Sequence, residues 1–218
     1  MLQWGSDSPT RMAVVRRSDG AVTWFESDTF WVWHFINAHE RPTAGGGTEI
    51  VVDCPIWSNP GMGLAPEPGE AQIRRFRLDL DRRTVHTEDL SDLTTAFPRI
   101  DDRRTGQPNR WFHAAAKDPD DPDLHGGEWN RLIRLDTETG TVRTRDGGRT
   151  RFGEAVFAPR AGATAEDDGY VMTYAFDVDT LETTFVILDA ADIAAEPVAV
   201  LEMPHRVPAG LHGNWLPA

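Results

Sequence analysis

The chain has 218 residues, with 22 basic against 35 acidic side chains and a formal net charge of −13. That length can bury a core, and the expectation is a single domain over residues 1–218. The charge argues against tracking nucleic-acid phosphates and against a polybasic membrane anchor. One cysteine, Cys54, excludes an internal disulfide framework and any cysteine-based zinc or iron–sulfur cluster. There is no basic-then-apolar leader and no apolar run near the roughly 18 residues of a membrane span. A soluble, cytoplasmic protein is expected.

Strand signals dominate the chain from start to end. Short apolar or β-branched runs predict strands over residues 12–15, 22–25, 30–36, 49–54, 73–80, 111–115, 132–136, 154–159, 170–176, 185–188 and 198–203. Asp19-Gly20, Asn59-Pro60, Thr139-Gly140, Asp146-Gly147 and Asp168-Gly169 punctuate them as turns. Residues 41–47, 59–70, 101–109 and 118–127 read as surface loops rich in Pro, Gly and Asp. The best helical candidate, residues 190–195, is a single turn. The class is all-β.

A weak internal repeat refines that class. Arg77-Leu78-Asp79 recurs as Arg134-Leu135-Asp136, and Thr84-Val85 and Thr87 are answered by Thr141-Val142 and Thr144 at the same spacing. Leu188-Asp189 with Pro197-Val198 forms a third copy and residues 16–22 a fourth. Each copy reads as strand, Asp-started turn, strand. Hairpins recurring at intervals of about 50–60 residues suggest β-propeller blades, which bury their faces by stacking on neighbours. About four blades are expected, a partial β-propeller that leaves a ring open.

The sequence holds seven histidines, but no compact metal motif, nucleophile elbow, phosphate loop or dinucleotide fingerprint. His34 lies in Phe30-Trp31-Val32-Trp33-His34-Phe35-Ile36, apolar on both alternating faces. Read alone, it is a satisfied core histidine before it is a ligand. His212, in Pro208-Ala209-Gly210-Leu211-His212-Gly213-Asn214-Trp215, reads alone as a turn histidine. His39 reads as structural, and His86, His113, His125 and His205 as surface residues in polar contexts. Trp31, Trp33, Phe35 and Trp57 suit core packing better than an apolar tunnel. Residues 118–123 form an acidic loop best read as solvated.

Taken together, these segments resemble the carotenoid cleavage oxygenase family. Trp33-His34-Phe35-Ile36-Asn37-Ala38-His39-Glu40 is similar to its Phe-His-x-x-Asn-Ala-x-Glu motif. Phe97-Pro98-Arg99-Ile100-Asp101 resembles its Glu-Phe-Pro-Arg-Ile segment, with Ala96 where the family has glutamate. Residues 153–160 with Glu166-Asp167-Asp168-Gly169 resemble a third block, and residues 206–215 its C-terminal signature. The four occur in family order across nearly the whole chain.

The resemblance implies a seven-bladed propeller with a non-haem Fe(II) held by four histidines, three of them oriented by glutamates. It implies cleavage of a conjugated double bond of a carotenoid, apocarotenoid or stilbene with O₂ into two carbonyl products. By motif, His34 and His212 would be metal ligands, and Glu154 would accept a hydrogen bond from His212. The first two ligands belong to motifs upstream of the matched region. Ala96 cannot accept the hydrogen bond implied for His34, and Thr95 is an imperfect stand-in. A lipid-soluble polyene implies peripheral membrane contact for uptake, and open blade edges imply self-association. The alternative is a non-catalytic β-propeller remnant that binds an apolar ligand or a protein partner. A sugar-lactone hydrolase propeller is a weaker third reading, since no carboxylate-rich metal site stands out.

Overall fold

The computed structural model describes residues 4–61 and 71–216. Among them the only helical element is a three-residue 3₁₀ turn, Asp102–Arg104, and everything else regular is antiparallel strand. No helix is long and apolar enough to cross a membrane. The strands form four sheets in two compact units, Met1–Asp92 and Leu93–Ala218.

The first unit holds a two-stranded ribbon, β1 (Thr10–Val15) with β2 (Val22–Ser27). Beside it β3 (Asn37–Pro42), β4 (Thr48–Trp57), β5 (Ala71–Asp79) and β6 (Thr84–Ser91) pair in sequence order. Phe25, Phe30, Cys54, Ile56, Phe76 and Leu78 form its core. The rings of Phe30 and Phe76 stack at 5.1 Å. In the second unit β7 (Thr95–Arg99), β8 (Trp111–Ala116), β9 (Arg131–Asp136) and β10 (Val142–Asp146) form one sheet. Its neighbour contains β11 (Thr150–Phe152), β12 (Val156–Pro159), β13 (Gly169–Asp177), β14 (Thr183–Asp189) and β15 (Ala199–Glu202). β8 and β9 are buried on both faces. There Phe112, Ala114, Ala115 and Ala116 meet Leu132, Ile133 and Leu135.

The recurring sequence pattern is the hairpin of each sheet. Asp79 Oδ1 accepts the N–H groups of Asp81 and Arg82, and Asp136 Oδ1 accepts that of Glu138. Asp189 and Asp19 do the same for Ala191 and Ala21. A side chain that mimics the turn's own carbonyl starts each reversal, which is why an Asp leads every copy. The four expected hairpins are β1–β2, β5–β6, β9–β10 and β14–β15.

Within the second unit the two sheets are tied by the segment before β13. The Glu166 carboxylate accepts the backbone N–H groups of Arg110 at 2.8 Å and Trp111 at 2.7 Å. Asp167 pairs with Arg134 at 2.7 Å, and that guanidinium lies 3.4 Å from the Trp111 ring centroid. Glu166→Ala removes the acceptor for both N–H groups. It is expected to destabilise this unit by about 1–2 kcal/mol, read as a lower urea midpoint.

Five expectations need correction. Residues 30–36 are not a strand. Trp31 pairs with Trp57 and the Ile36 N–H reaches the Asp53 carbonyl, so five steps on this segment span four on β4. Between those ties sits Pro55, which has no N–H to give on the side where Trp57 gives one. The segment loops out, leaving Trp33 and Phe35 exposed at 38% and 65%. Core packing therefore holds for Trp57 and not for those two. Residues 154–159 are strand only from Val156. Residues 190–195 form consecutive turns rather than a helical turn. His113 is buried on β8, opposite Arg134, not on the surface. The loop expected over residues 59–70 lies largely outside the described residues.

Candidate metal-ligand site around His212

The site is built in the second unit from three stretches of chain. The first is β7 and its irregularity. Ala96 faces Ala115 and Arg99 faces His113, so the register slips between them. Pro98 lacks an N–H, which an edge strand tolerates, and Phe97 takes the left-handed backbone region at φ 53°. An aromatic residue there costs on the order of 1–3 kcal/mol and marks an over-determined position. The Phe97 ring meets His212 edge-on at 5.5 Å and Trp129 at 6.3 Å.

The second stretch supplies Glu154, just before β12, with its side chain only 6% exposed. The third carries His212 and Gly213 near the end of the described chain. Glu154 Oε1 lies 3.2 Å from His212 Nδ1, and Oε2 accepts the Gly213 N–H at 2.6 Å. Arg99 Nη1 donates to Glu154 Oε1 at 3.3 Å and to the Gly213 carbonyl at 2.8 Å. Its Nη2 donates to Asn214 Oδ1 at 3.0 Å. A carboxylate accepting from Nδ1 fixes the tautomer with the proton on that nitrogen, which makes Nε2 the donor for a metal. The arrangement thus suits one imidazole corner of a nitrogen-ligated cation.

The structure brings His212 and Glu154 together. His34 belongs to the first unit, partly buried on the loop that Pro55 pushes out. Trp31 and Trp33 lie beside it with rings 5.1 Å apart. Thr95 is fully buried and its Oγ1 finds no hydrogen-bond partner among the described residues. Among those residues no group of three or more His, Cys, Asp or Glu is gathered as for a metal. The other histidines have separate surroundings. His39 is partly buried, and desolvation holds it below the ordinary histidine range. His113 is pushed down to about 4 by burial, with Nε2 2.9 Å from the Ala190 carbonyl. Burial pushes the Cys54 thiol up to about 12, so it is an inert core residue. Arg99 and Phe97 carry the site as much as the histidine does, yet sequence reasoning assigned them no role. The signal open to the sequence is the Phe97-Pro98-Arg99 segment itself, which resembles a family motif.

The profile of the family described as retinal pigment epithelial membrane protein matches residues 1–217. The chain belongs to that family. Isoeugenol monooxygenase of Pseudomonas nitroreducens is 31% identical to this member over 93% of the chain and 45% of its own length. The crystal structure of the lignostilbene dioxygenase of Pseudomonas brassicacearum superposes with a TM-score of 0.90 at 30% identity. It covers 99% of this chain and 48% of that one. A cobalt-substituted apocarotenoid oxygenase of Synechocystis gives a TM-score of 0.87 at 26% identity, over 99% and 46% of the two chains. The chain therefore spans less than half the length of the relatives it matches. Their names include carotenoid cleavage oxygenases, the family that the four motifs resemble. The four open sheets are a partial β-propeller of these enzymes' kind.

Proposed function

We propose that residues 1–218 are the C-terminal part of a cytoplasmic, non-haem Fe(II)-dependent dioxygenase. It cleaves a conjugated carbon–carbon double bond of an apolar polyene or stilbene with O₂, one oxygen atom going to each of two carbonyl products. His34 and His212 would hold the iron, and Glu154 would orient His212. The names of the relatives support oxidative alkene cleavage. The Glu154–His212 contact is the single observation in this chain that carries the metal reading.

When bound, the iron would supply open coordination positions for O₂, since an all-imidazole site need not fill its sphere. The chain's own residues orient the ligand and receive the substrate. Glu154, dehydrated and hydrogen-bonded three ways, keeps the His212 ring from turning. Trp33 and Phe35 present exposed apolar rings on the loop that carries His34, and such rings bind a flat conjugated hydrocarbon by burial and stacking. The redox chemistry demands no side-chain nucleophile. Two neutral imidazoles without an anionic ligand bind Fe(II) weakly, so the test belongs in the protein that carries the whole ligand set.

Metal content there is expected to fall with His34→Ala and with His212→Ala. In its structure the two imidazoles are expected within about 6 Å, the reach set by two metal–nitrogen bonds near 2 Å. Rings held further apart would refute the shared site.

A further inference from the structure

We propose that Arg99 is the positioning residue for His212. It grips the peptide on the far side of the histidine so that Glu154 and Phe97 can fix the ring. The inference rests on the reading of His212 as a metal ligand, but what Arg99 does is visible without a metal.

Residues 207–210 and 212–216 belong to no strand or helix, so the usual ladder of backbone hydrogen bonds does not hold this segment. Side chains hold it instead. Glu154 takes the Gly213 N–H, and Arg99 gives to the Gly213 carbonyl. One residue is thus clamped at both its polar groups by an ion pair whose members also touch each other at 3.3 Å. The second arm of the guanidinium reaches Asn214 Oδ1. Four acceptors, Glu154, Gly213, Asn214 and the exposed Asp102 at 3.4 Å, share the two Nη atoms of one planar fork. A fixed fork can satisfy separate acceptors at once, whereas an ammonium is a point charge on a flexible stem.

The fork itself is fixed. Arg99 is only 14% exposed and ends β7 directly after the irregularity at Phe97 and Pro98. The same irregularity aims Phe97 at the His212 ring. One backbone kink therefore delivers two contacts, an aromatic edge on the imidazole and a guanidinium on the next residue. The third contact, Glu154 on Nδ1, depends on Arg99 because they share Oε1. Without the cation Glu154 loses a partner, and the peptide beyond His212 loses its anchor.

The test uses the 218-residue chain labelled with ¹⁵N, wild type and with Arg99→Ala, Arg99→Lys and Asp102→Asn. Two readouts need no metal: hydrogen exchange at the Gly213 amide and the ring nitrogen signals of His212, which report its tautomer. Arg99→Ala is expected to speed Gly213 exchange by at least about tenfold and to average the two tautomers. Arg99→Lys is expected to fall between it and wild type, and Asp102→Asn to match wild type. Where Arg99→Ala does not fold, Asn214→Ala removes one acceptor of the fork and is expected to speed the same amide. Gly213 exchange and a His212 tautomer unchanged in Arg99→Ala would overturn the inference. In the protein with the whole ligand set, Arg99→Ala is also expected to weaken cobalt(II) binding about tenfold. A wild-type protein that binds no cobalt would defeat the metal reading alone, while the exchange result still decides the role of Arg99.

Discussion

Glu154→Ala is expected to release the segment that carries His212 and to lower cobalt(II) affinity about 100-fold in the protein with the whole ligand set. The reasoning runs through three hydrogen bonds. The carboxylate holds the His212 ring, the Gly213 amide and the Arg99 guanidinium, and its side chain is almost wholly dehydrated. Alanine leaves all three donors without this acceptor, one of them a cation that is mostly buried. Removing one partner of such a pair costs more than the pair contributed, about 2–3 kcal/mol here given the acceptors Arg99 retains. Glu154→Gln separates charge from shape. Its carbonyl can still accept from His212 or Gly213, but its amide N–H₂ then faces Arg99, donor against donor. About a tenfold loss of affinity is expected for it. Isothermal titration with cobalt(II) and urea denaturation read the two effects. Equal affinity in wild type and Glu154→Ala would mean that His212 ligates without its carboxylate, or does not ligate.

What could be read from the sequence follows what each segment buries. β4, β5, β8, β9 and β13 announce themselves because their apolar residues face a core on one or both sides. β6 and β10 carry polar and charged side chains over most of their length and lie outermost in their sheets, so no periodicity marks them. They are legible only as the second arm of a repeated hairpin, through Asp79 and Asp136. β3, Asn37-Ala38-His39-Glu40-Arg41-Pro42, looks like a loop and is a strand because β4 offers it a ladder. The apolar run at residues 30–36 is the converse. Its composition demands a buried strand, but Pro55 denies it a continuous partner. The deciding residue lies on another strand, and no local pattern contains it.

The site was legible in the same uneven way. The motif around Gly153-Glu154 and the signature around His212 point at each other through a resemblance, and the two side chains do meet. Arg99 has no role assignable from the sequence because Glu154, the Gly213 carbonyl and Asn214, the partners that define its role, lie 55 to 115 residues along the chain. Hydrogen bonds to backbone leave no complementary residue type to look for. His113 was misplaced for a related reason. Its neighbours in sequence do not show that β8 is covered on both faces, nor that Arg134 lies opposite.

That buried histidine gives the molecule an acid-sensitive joint. His113 sits on β8 with Nε2 against the carbonyl of Ala190, just past β14, and its ring lies 6.4 Å from that of Phe157 on β12. It thus bridges the two sheets of the second unit. The charged groups around it are Arg134, which opposes a second positive charge, and Asp167, which favours one. Burial dominates and keeps the imidazole neutral down to about 4 in the fold, against 6.5 for an ordinary histidine. The unfolded chain takes up a proton as pH falls through 6.5, and the folded chain does not until about 4. Stability of this unit is therefore complete above pH 6.5 and is lost progressively between 6.5 and 4, by about 3 kcal/mol in all. A second acid window lies lower. The Arg110 guanidinium hydrogen-bonded to Asp136 holds that carboxylate down to about 2, so its contribution persists until the pH drops below 3.8. His113→Gln keeps an N–H to offer Ala190 and removes the titrating group. Thermal unfolding of wild type from pH 8 to pH 4 is expected to show a falling midpoint that begins near 6.5, while His113→Gln stays flat until the carboxylates titrate. A wild-type midpoint that stays level from 6.5 to 4.5 would show that the imidazole is reached by water and charged within the fold.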